Sequence, residues 1–536
     1  MRRFLSAAAL LLSIAAVARA EDAAAPATDP VADGVARFLG ASEAAAREKA
    51  AADLVAAKAD PARVATLLAA GRPHGKDAKT GWQERMHRGA DGVERAWLLY
   101  VPGDYDPAKP RPFWIDMHGG VSMPNALTHE ELQQMSFFWG KEAATRGFLL
   151  ALPAGQAGAE WWTENGAGNV LGILATVKRE YAVDPDRVVA TGFSDGGSGA
   201  YYLALTHPDP FAAIVPLNGH VGVAGVKGLQ VHLRNLVNMP VYAVNTDQDS
   251  LYPSEAIRPL AEALKALSAT FTWREIKGFA HDPSYLPGER GAIGTWVDAH
   301  PRVPHPERAV WEGTADAPTH GALWLDAVKV ADRGEAATFP DVNPVLPTPV
   351  RLGINIDTAF EGPGVKVSGV AEGSPAAAAG VAVGDVITGL DAVDIAGVRD
   401  LRRALAAKAH GQDFRVRLKR GEEKIEKEGR LAEAGPQPAL DRTRPFGTVD
   451  ARRKGNGFDV TCANVESFDL LLGAGAVDPS KPVVVRVNGK EVSNATVAPD
   501  LAFLLARAAK DDDPRRIYFA RVTVRSPAPS KEAPNK

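Results

Sequence analysis

The clearest shortage in the sequence is of cysteine. The 536 residues include one, Cys462, so no intrachain disulfide can form. The 12 histidines are scattered, and without a cysteine cluster beside them they show no recognisable zinc-binding spacing. We therefore expect neither a disulfide nor a metal ion or other cofactor.

An excess of positive charge is also lacking. The chain has 61 lysine and arginine residues against 65 aspartate and glutamate residues. Nucleic-acid binding draws much of its affinity from basic side chains that neutralise phosphates. Because no basic surplus is present, we expect no nucleic-acid partner.

The sequence also lacks long apolar runs. After the N-terminal segment, no apolar run reaches the roughly 20 residues that a membrane-spanning helix needs. The chain begins Met-Arg-Arg, continues with an apolar stretch over residues 4–17 and has Ala-Arg-Ala at 18–20. This order is typical of a cleavable signal peptide, which we predict over residues 1–20. We therefore expect a protein that is exported to the periplasm or secreted, has no transmembrane anchor and starts at Glu21.

The most informative pattern that is present is Gly-Phe-Ser-Asp-Gly-Gly at residues 192–197. It follows a strand-like run at 187–191 and precedes a helix-like run at 200–205, which is the setting of a G-x-S-x-G nucleophile elbow. In such a turn, small neighbours allow a sharp reversal that exposes the serine hydroxyl. The pattern predicts Ser194 as the nucleophile of an acyl-transfer reaction.

A serine nucleophile needs a histidine base and a carboxylate that orients it. His281 follows a strand-like run at 270–277 and lies in a loop from which it can reach the elbow, so we predict it as the base. The loop after a strand-like run at 241–244 offers two carboxylates, Asp247 and Asp249. We favour Asp249, which lies nearer the start of the next helix, while Asp247 would cap or brace the loop.

Two backbone N–H groups must also face the oxyanion of the tetrahedral intermediate. One usually belongs to the residue after the nucleophile, which is Asp195 here. The other is expected from the loop after an early strand at 113–117, where Gly119 or Gly120 allows close backbone approach.

With these motifs, residues 80 to 300 resemble the α/β-hydrolase superfamily, in particular its esterase, polyhydroxybutyrate-depolymerase-like and prolyl-oligopeptidase-like branches. The resemblance implies an α/β-hydrolase sheet, the Ser194, Asp249 and His281 triad, and hydrolysis of a small-molecule ester or peptide. We expect carboxylic esters first. A serine peptidase is the alternative, and a non-catalytic binding scaffold is the second alternative.

A second set of motifs begins near residue 350, with Arg-Leu-Gly-Ile at 351–354, Gly-Ser-Pro-Ala at 373–376 and Gly-Asp-Val-Ile at 384–387. Residues 349–432 resemble a PDZ domain of the bacterial, protease-associated kind. The resemblance implies that Leu352, Gly353 and Ile354 bind the carboxylate of a peptide C-terminus, which adds to the domain as an edge strand.

Strand-like runs on both sides of residues 349–432 suggest that the PDZ-like module is inserted into one β-rich, sandwich-like domain, although separate pieces remain the alternative. The predicted division is a linker and small helical segment at 21–75, a hydrolase domain at 80–303, a β-rich domain from 305–345 plus 440–526, the PDZ-like domain at 349–432 and a disordered tail at 527–536.

Overall fold

The computed structural model describes residues 29–75, 77–268, 270–331, 339–340, 342–347, 350–357, 360–433 and 435–526. The predicted signal peptide and the predicted disordered tail lie outside these residues. Within them, no helix is long and apolar enough to cross a membrane.

The first part of the described chain holds three helices followed by alternating strands and helices. The helices are α1 Pro30–Gly40, α2 Ala44–Ala56, α3 Pro61–Ala69, α4 His129–Met135, α5 Gly140–Arg146, α6 Glu164–Glu180, α7 Asp195–Thr206, α8 Ser254–Leu267 and α9 Leu286–Asp298. The strands are β1 Gly81–Arg88, β2 Glu94–Val101, β3 Arg111–Met117, β4 Leu149–Pro153, β5 Val183–Phe193, β6 Ala213–Leu217, β7 Val241–Thr246 and β8 Phe271–Ile276.

These strands form one sheet in the order β1-β2-β4-β3-β5-β6-β7-β8. Strands β1 and β2 pair with each other in antiparallel fashion, β2 pairs with β4 in the same way, and every pairing from β4 to β8 is parallel. Crossover helices then cover both faces, so the central strands are apolar along almost their whole length. The carboxyl ends of β5, β7 and β8 therefore meet at one edge of the sheet.

The second part of the described chain is mostly strand. Its strands are β9 Arg308–Thr314, β10 Leu325–Val330, β11 Val345–Pro347, β12 Ile354–Ile356, β13 Val365–Val370, β14 Val386–Leu390, β15 Val393–Asp394, β16 Asp413–Arg420, β17 Glu423–Arg430, β18 Pro436–Pro438, β19 Phe446–Lys454, β20 Gly457–Ala463, β21 Val465–Gly473, β22 Val483–Val487, β23 Lys490–Ala495 and β24 Tyr518–Arg525. Its helices are α10 Pro375–Ala378, α11 Val398–Ala406 and α12 Leu501–Asp511.

Strands β12 to β17 form an antiparallel sheet in the order β12-β13-β14-β16-β17, with β15 paired to β14. The sheet and helices α10 and α11 enclose a small apolar core that includes Leu352, Leu401 and Phe414. A short antiparallel pair, β11 with β18, joins the two ends of this unit where the chain enters and leaves it.

Strands from before and after this unit share sheets with one another. Strand β9 pairs with β19 in the order β23-β22-β20-β19-β9, and β10 pairs with β21 in the order β10-β21-β24. Helices α1 to α3 pack into the same core as these strands, through residues such as Phe38, Leu54 and Leu68. The N-terminal helices thus complete the β-rich core, a contact that was not predicted for the helical segment at 21–75.

The β-rich part and the hydrolase-like part are held together by buried ion pairs. Arg302, which follows α9, contacts Asp513 at 2.6 Å and Asp186 at 2.9 Å. Arg516 contacts Asp209 at 2.7 Å. The Arg302–Asp513 pair is buried on both sides, so loss of one partner would leave the other charge unpaired at a large cost.

Candidate active site

Ser194 lies in the sharp turn between β5 and α7. Its backbone has φ 58° and ψ −117°, a strained conformation for a residue other than glycine. The neighbouring glycines make the turn possible, since a Cβ atom on Gly192 would lie 2.3 Å from the Met117 carbonyl oxygen and one on Gly196 only 1.7 Å from it. The Ser194 N–H donates to the Leu217 carbonyl at 2.8 Å, which ties the turn to β6.

His281 connects Ser194 to Asp249. Its Nε2 lies 2.8 Å from Ser194 Oγ, and its Nδ1 lies 2.7 Å from Asp249 Oδ2. An ionised carboxylate only accepts hydrogen bonds, so the Nδ1–H donates to Asp249 and Nε2 is left to accept the serine proton. The loop that presents His281 is fixed by Thr246, whose hydroxyl donates to the Ala280 carbonyl at 2.7 Å.

Asp249 is fully buried and well supplied with donors. Asn218 Nδ2 donates to it at 2.9 Å, and the N–H groups of Leu251 and Tyr252 donate at 2.8 and 2.9 Å. Burial raises the pKa of this carboxyl, but the hydrogen bonds from His281, Asn218 and Tyr252 outweigh burial and leave the pKa below its ordinary value. Asp249 is therefore ionised at neutral pH.

Asp247, the other carboxylate of this loop, points elsewhere. Its Oδ1 accepts a hydrogen bond of 2.7 Å from the N–H of Gly278, in the turn that follows β8. It therefore braces the loop that precedes His281 rather than contacting the imidazole.

The loop after β3 lies directly against the nucleophile. A Cβ atom on Gly119 would lie 3.0 Å from Ser194 Cβ, and Gly120 has φ 72°. Among the described residues, the backbone N–H groups of Gly119, Gly120 and Asp195 donate to no protein acceptor. The Asp195 carboxylate accepts from the Val121 N–H at 3.0 Å, which holds the loop after β3 against the start of α7.

Sequence reasoning missed the role of His118 in shaping this loop. The buried His118 ring accepts from the Gly155 N–H at its Nε2 and donates from Nδ1 to the Gly119 carbonyl. Burial lowers its pKa, which keeps the ring neutral. Trp161 is fully buried and donates from its indole nitrogen to the His118 carbonyl at 2.8 Å, so it packs behind this loop.

The predicted peptide-binding loop, Leu352 to Ile354, lies at the start of β12. Gly353 has φ 79°, and its missing side chain leaves room for Ser374, because a Cβ atom would lie 2.3 Å from Ser374 Cβ. Leu352 is buried in the core of the unit. Strand β12 is at the end of its sheet, so one of its edges carries no neighbouring strand among the described residues.

Each of the two parts of the chain matches a known protein family. Residues 167–286 match the phospholipase/carboxylesterase family, and residues 350–428 match the PDZ domain family. The chain combines an α/β-hydrolase fold with a PDZ domain. The predicted fold class and both resemblances are thus confirmed, whereas the domain limits and the assignment of the site residues stay predictions.

The curated relatives of this α/β-hydrolase are esterases that match it only in part. Feruloyl esterase C of Emericella nidulans is 30% identical over 171 residues, which are 30% of this chain and 62% of that enzyme. The bifunctional acetylxylan esterase/xylanase XynS20E of Neocallimastix patriciarum is 30% identical over 131 residues, 24% of this chain and 18% of that protein. The chain therefore spans less than two thirds of either relative.

Solved structures similar to this α/β-hydrolase include a thermostable esterase, with 20% identity, a TM-score of 0.36, and coverage of 41% of this chain and 63% of the other. S-formylglutathione hydrolase from Staphylococcus aureus matches with 16% identity, a TM-score of 0.33, and coverage of 42% of this chain and 99% of the other.

Proposed function

We propose that this protein is a serine esterase that hydrolyses carboxylic esters through an acyl-enzyme. The observation that carries the proposal is the continuous chain of hydrogen bonds from Ser194 through His281 to Asp249. In this proposal Ser194 is the nucleophile, His281 is the general base and then the general acid, and Asp249 orients the imidazole and stabilises its positive charge.

The proposed reaction has two halves. Ser194 Oγ attacks the ester carbonyl while His281 Nε2 takes its proton, and the oxyanion accepts hydrogen bonds from the N–H groups of Asp195 and of Gly119 or Gly120. The intermediate collapses when His281 returns the proton to the leaving alkoxide oxygen, which releases the alcohol. A water molecule, activated by the same imidazole, then attacks the acyl-enzyme and frees the acid and the serine.

Esters are preferred over peptides because the matching family is the phospholipase/carboxylesterase family and the curated relatives are named as esterases. A peptidase of the prolyl-oligopeptidase-like type is the alternative, favoured by the PDZ domain, which would deliver C-terminal segments to the site. A non-catalytic scaffold is the second alternative.

The decisive experiment is labelling with a fluorophosphonate probe, which reacts covalently with an activated serine. Wild type is expected to be labelled, the Ser194→Ala variant to lose the label, and a matched control, Ser284→Ala, to keep it. Ser284 is exposed, and among the described residues its hydroxyl bonds only to Asp282. Aryl esters and peptide anilides would then rank esterase against peptidase. Absence of label on folded wild type would remove the esterase proposal and favour the scaffold.

We also propose that the PDZ domain binds peptide C-termini at Leu352, Gly353 and Ile354, by addition of a strand to the open edge of β12. The test is binding of a peptide library with free or amidated C-termini. Gly353→Ala should weaken binding because the new methyl group meets Ser374, whereas Gly373→Ala, at a similar φ of 70° but with open space around it, is the matched control. Equal loss in both variants would contradict the assignment.

Export is the last part of the proposal, and it rests on the signal-peptide pattern of residues 1–20. Expression of the full chain with its own N-terminus, followed by fractionation and N-terminal sequencing, should give a protein outside the cytoplasm that begins at Glu21. An unprocessed cytoplasmic protein would contradict export.

A further inference from the structure

Asp116 carries a buried carboxyl group that no described residue pairs with. It is the last residue but one of β3, and its side chain faces the side of the sheet that Trp114, Leu152 and Val189 cover. The residue is 5% exposed, and its carboxyl group makes no hydrogen bond or ion pair with any other described residue. A polar group in that position costs stability unless something outside the protein bonds to it.

Asp116 lines a cavity of about 280 Å³. The other lining residues are almost all apolar and include Met117, Leu132, Phe138 and Phe193. Two of the residues that line it, Gly119 and Phe193, directly flank Ser194 in space or in sequence. The cavity therefore adjoins the loop after β3 and the turn that carries Ser194, and we take it as the space into which one of the two groups of an ester extends.

Burial raises the pKa of Asp116 to about 8, and no nearby charge opposes that effect. The side chain is consequently a neutral acid at pH 7, with one O–H donor and a carbonyl acceptor. A neutral acid suits a neutral hydroxyl group, which can both accept and donate. An ammonium group suits it less, because a charge in this apolar cavity would lose its hydration.

We propose that Asp116 is a specificity residue that selects esters whose cavity-filling group carries a hydroxyl group at its far end. The proposal rests on the esterase function proposed above and deepens it by naming a substrate class. Asp116 is three residues from Gly119, a span of at most about 10 Å along an extended chain, so an aromatic ring and a short linker between hydroxyl and carbonyl give probe esters of suitable length.

The test compares matched esters that differ by one hydroxyl group. One pair carries it on the acid, as methyl 3-phenylpropanoate and methyl 3-(4-hydroxyphenyl)propanoate, and the other on the alcohol, as phenethyl acetate and 2-(4-hydroxyphenyl)ethyl acetate. The readout is the ratio of kcat/KM within a pair. Wild type should prefer the hydroxylated member of one pair, and Asp116→Leu should reduce that preference about tenfold, the usual worth of one buried hydrogen bond.

Two controls separate recognition from a general structural effect. Glu130→Gln removes a carboxylate from the exposed side of α4, the helix that contributes Leu132 to the cavity, and should leave the preference unchanged. Asp116→Ala, which adds no atoms to the core, is the second variant if Asp116→Leu does not fold. The denaturation midpoint of Asp116→Leu should rise, since an unpartnered carboxyl group is removed, whereas a structural role would lower it.

The outcomes are distinguishable. Turnover without a hydroxyl preference in wild type, or a preference that survives in both Asp116 variants, would overturn the inference while the esterase proposal stands. Failure of the fluorophosphonate probe to label Ser194, together with no turnover of any ester, would overturn the esterase proposal and this inference with it.

Discussion

Asp249 and Asp116 are both buried carboxyl groups near Ser194, but the protein surrounds them in opposite ways. Asp249 accepts four hydrogen bonds, from His281, Asn218, Leu251 and Tyr252, and keeps its pKa low despite burial. Asp116 lies among apolar side chains, no described residue donates a hydrogen bond to it, and its pKa rises to about 8. Burial alone therefore does not decide whether a carboxyl group is charged. The number of hydrogen-bond donors around the carboxyl group decides its charge, and the charge decides which chemical role the group can have.

The largest effect on activity is expected from removing the negative charge of Asp249, the carboxyl group that is surrounded by donors. In Asp249→Asn the amide can donate to His281 Nδ1, which would place the ring proton on Nε2, facing Ser194, where it cannot accept the serine proton. We expect kcat to fall by about 10⁴-fold with the fold retained. Ester turnover and the thermal midpoint, measured together, check this. A loss of activity below tenfold would show that Asp249 does not orient His281.

Asp116, the carboxyl group to which no described residue donates, is expected to change the free energy of unfolding by a few kcal/mol between about pH 4 and pH 8. The folded protein holds the Asp116 proton up to about pH 8, whereas the unfolded chain releases it near pH 4. The unfolded state binds fewer protons in that interval, so wild type loses stability as the pH rises from 4 to 8. Asp116→Asn does not titrate. Its advantage over wild type in the denaturant midpoint should therefore widen across this range, and a constant gap would contradict the assigned environment.

Asn218 supplies one of the donors that distinguish Asp249 from Asp116, so its removal tests how much a single donor contributes to catalysis. Its amide donates to Asp249 and to Thr246, and its carbonyl accepts from the Tyr285 hydroxyl at 2.8 Å. Asn218→Ala should reduce kcat about tenfold, the worth of one hydrogen bond to a charged group. The matched control is Asn494→Ala, an exposed residue of the β-rich part that should leave kcat unchanged. An unaltered kcat in Asn218→Ala would show that the remaining donors suffice.

The smallest effect is expected at Asp247, the carboxylate that the sequence offered as the alternative. It bonds to the Gly278 N–H and not to His281. Asp247→Asn keeps an acceptor for that bond, so kcat should change by no more than about twofold. A loss as large as that of Asp249→Asn would exchange the roles of the two residues.

Much of the site was open to sequence reasoning because it depends on local chain geometry. Ser194 follows from the glycines beside it, which fit the sharp turn where larger residues would not. Asp249 was preferred over Asp247 from its place before a helix, and in the structure the N–H groups at the approach to that helix bond to it. These features involve residues close together in the chain, where backbone sterics and hydrogen bonding leave few arrangements.

The contacts of Asn218, His118 and Asp116 were not predictable in the same way. Asn218 lies 31 positions before Asp249, and His118 lies 37 positions before Gly155, so each pair meets only through the order of strands in the sheet. Asp116 carries no motif, and its apolar surroundings come from helices and strands spread over the hydrolase part. The packing of the N-terminal helices into the β-rich core is a contact of the same long-range kind.

The sequence by itself determined the two folds, the elbow serine and the candidate residues for the triad and the peptide-binding loop, because each is written in a few adjacent residues whose conformations are narrowly restricted. Only the tertiary structure decided which carboxyl group meets His281 and which is left without a donor. The physical reason is that the electrostatic environment of a side chain is the sum of the groups that the fold brings around it, and those groups come from distant parts of the chain.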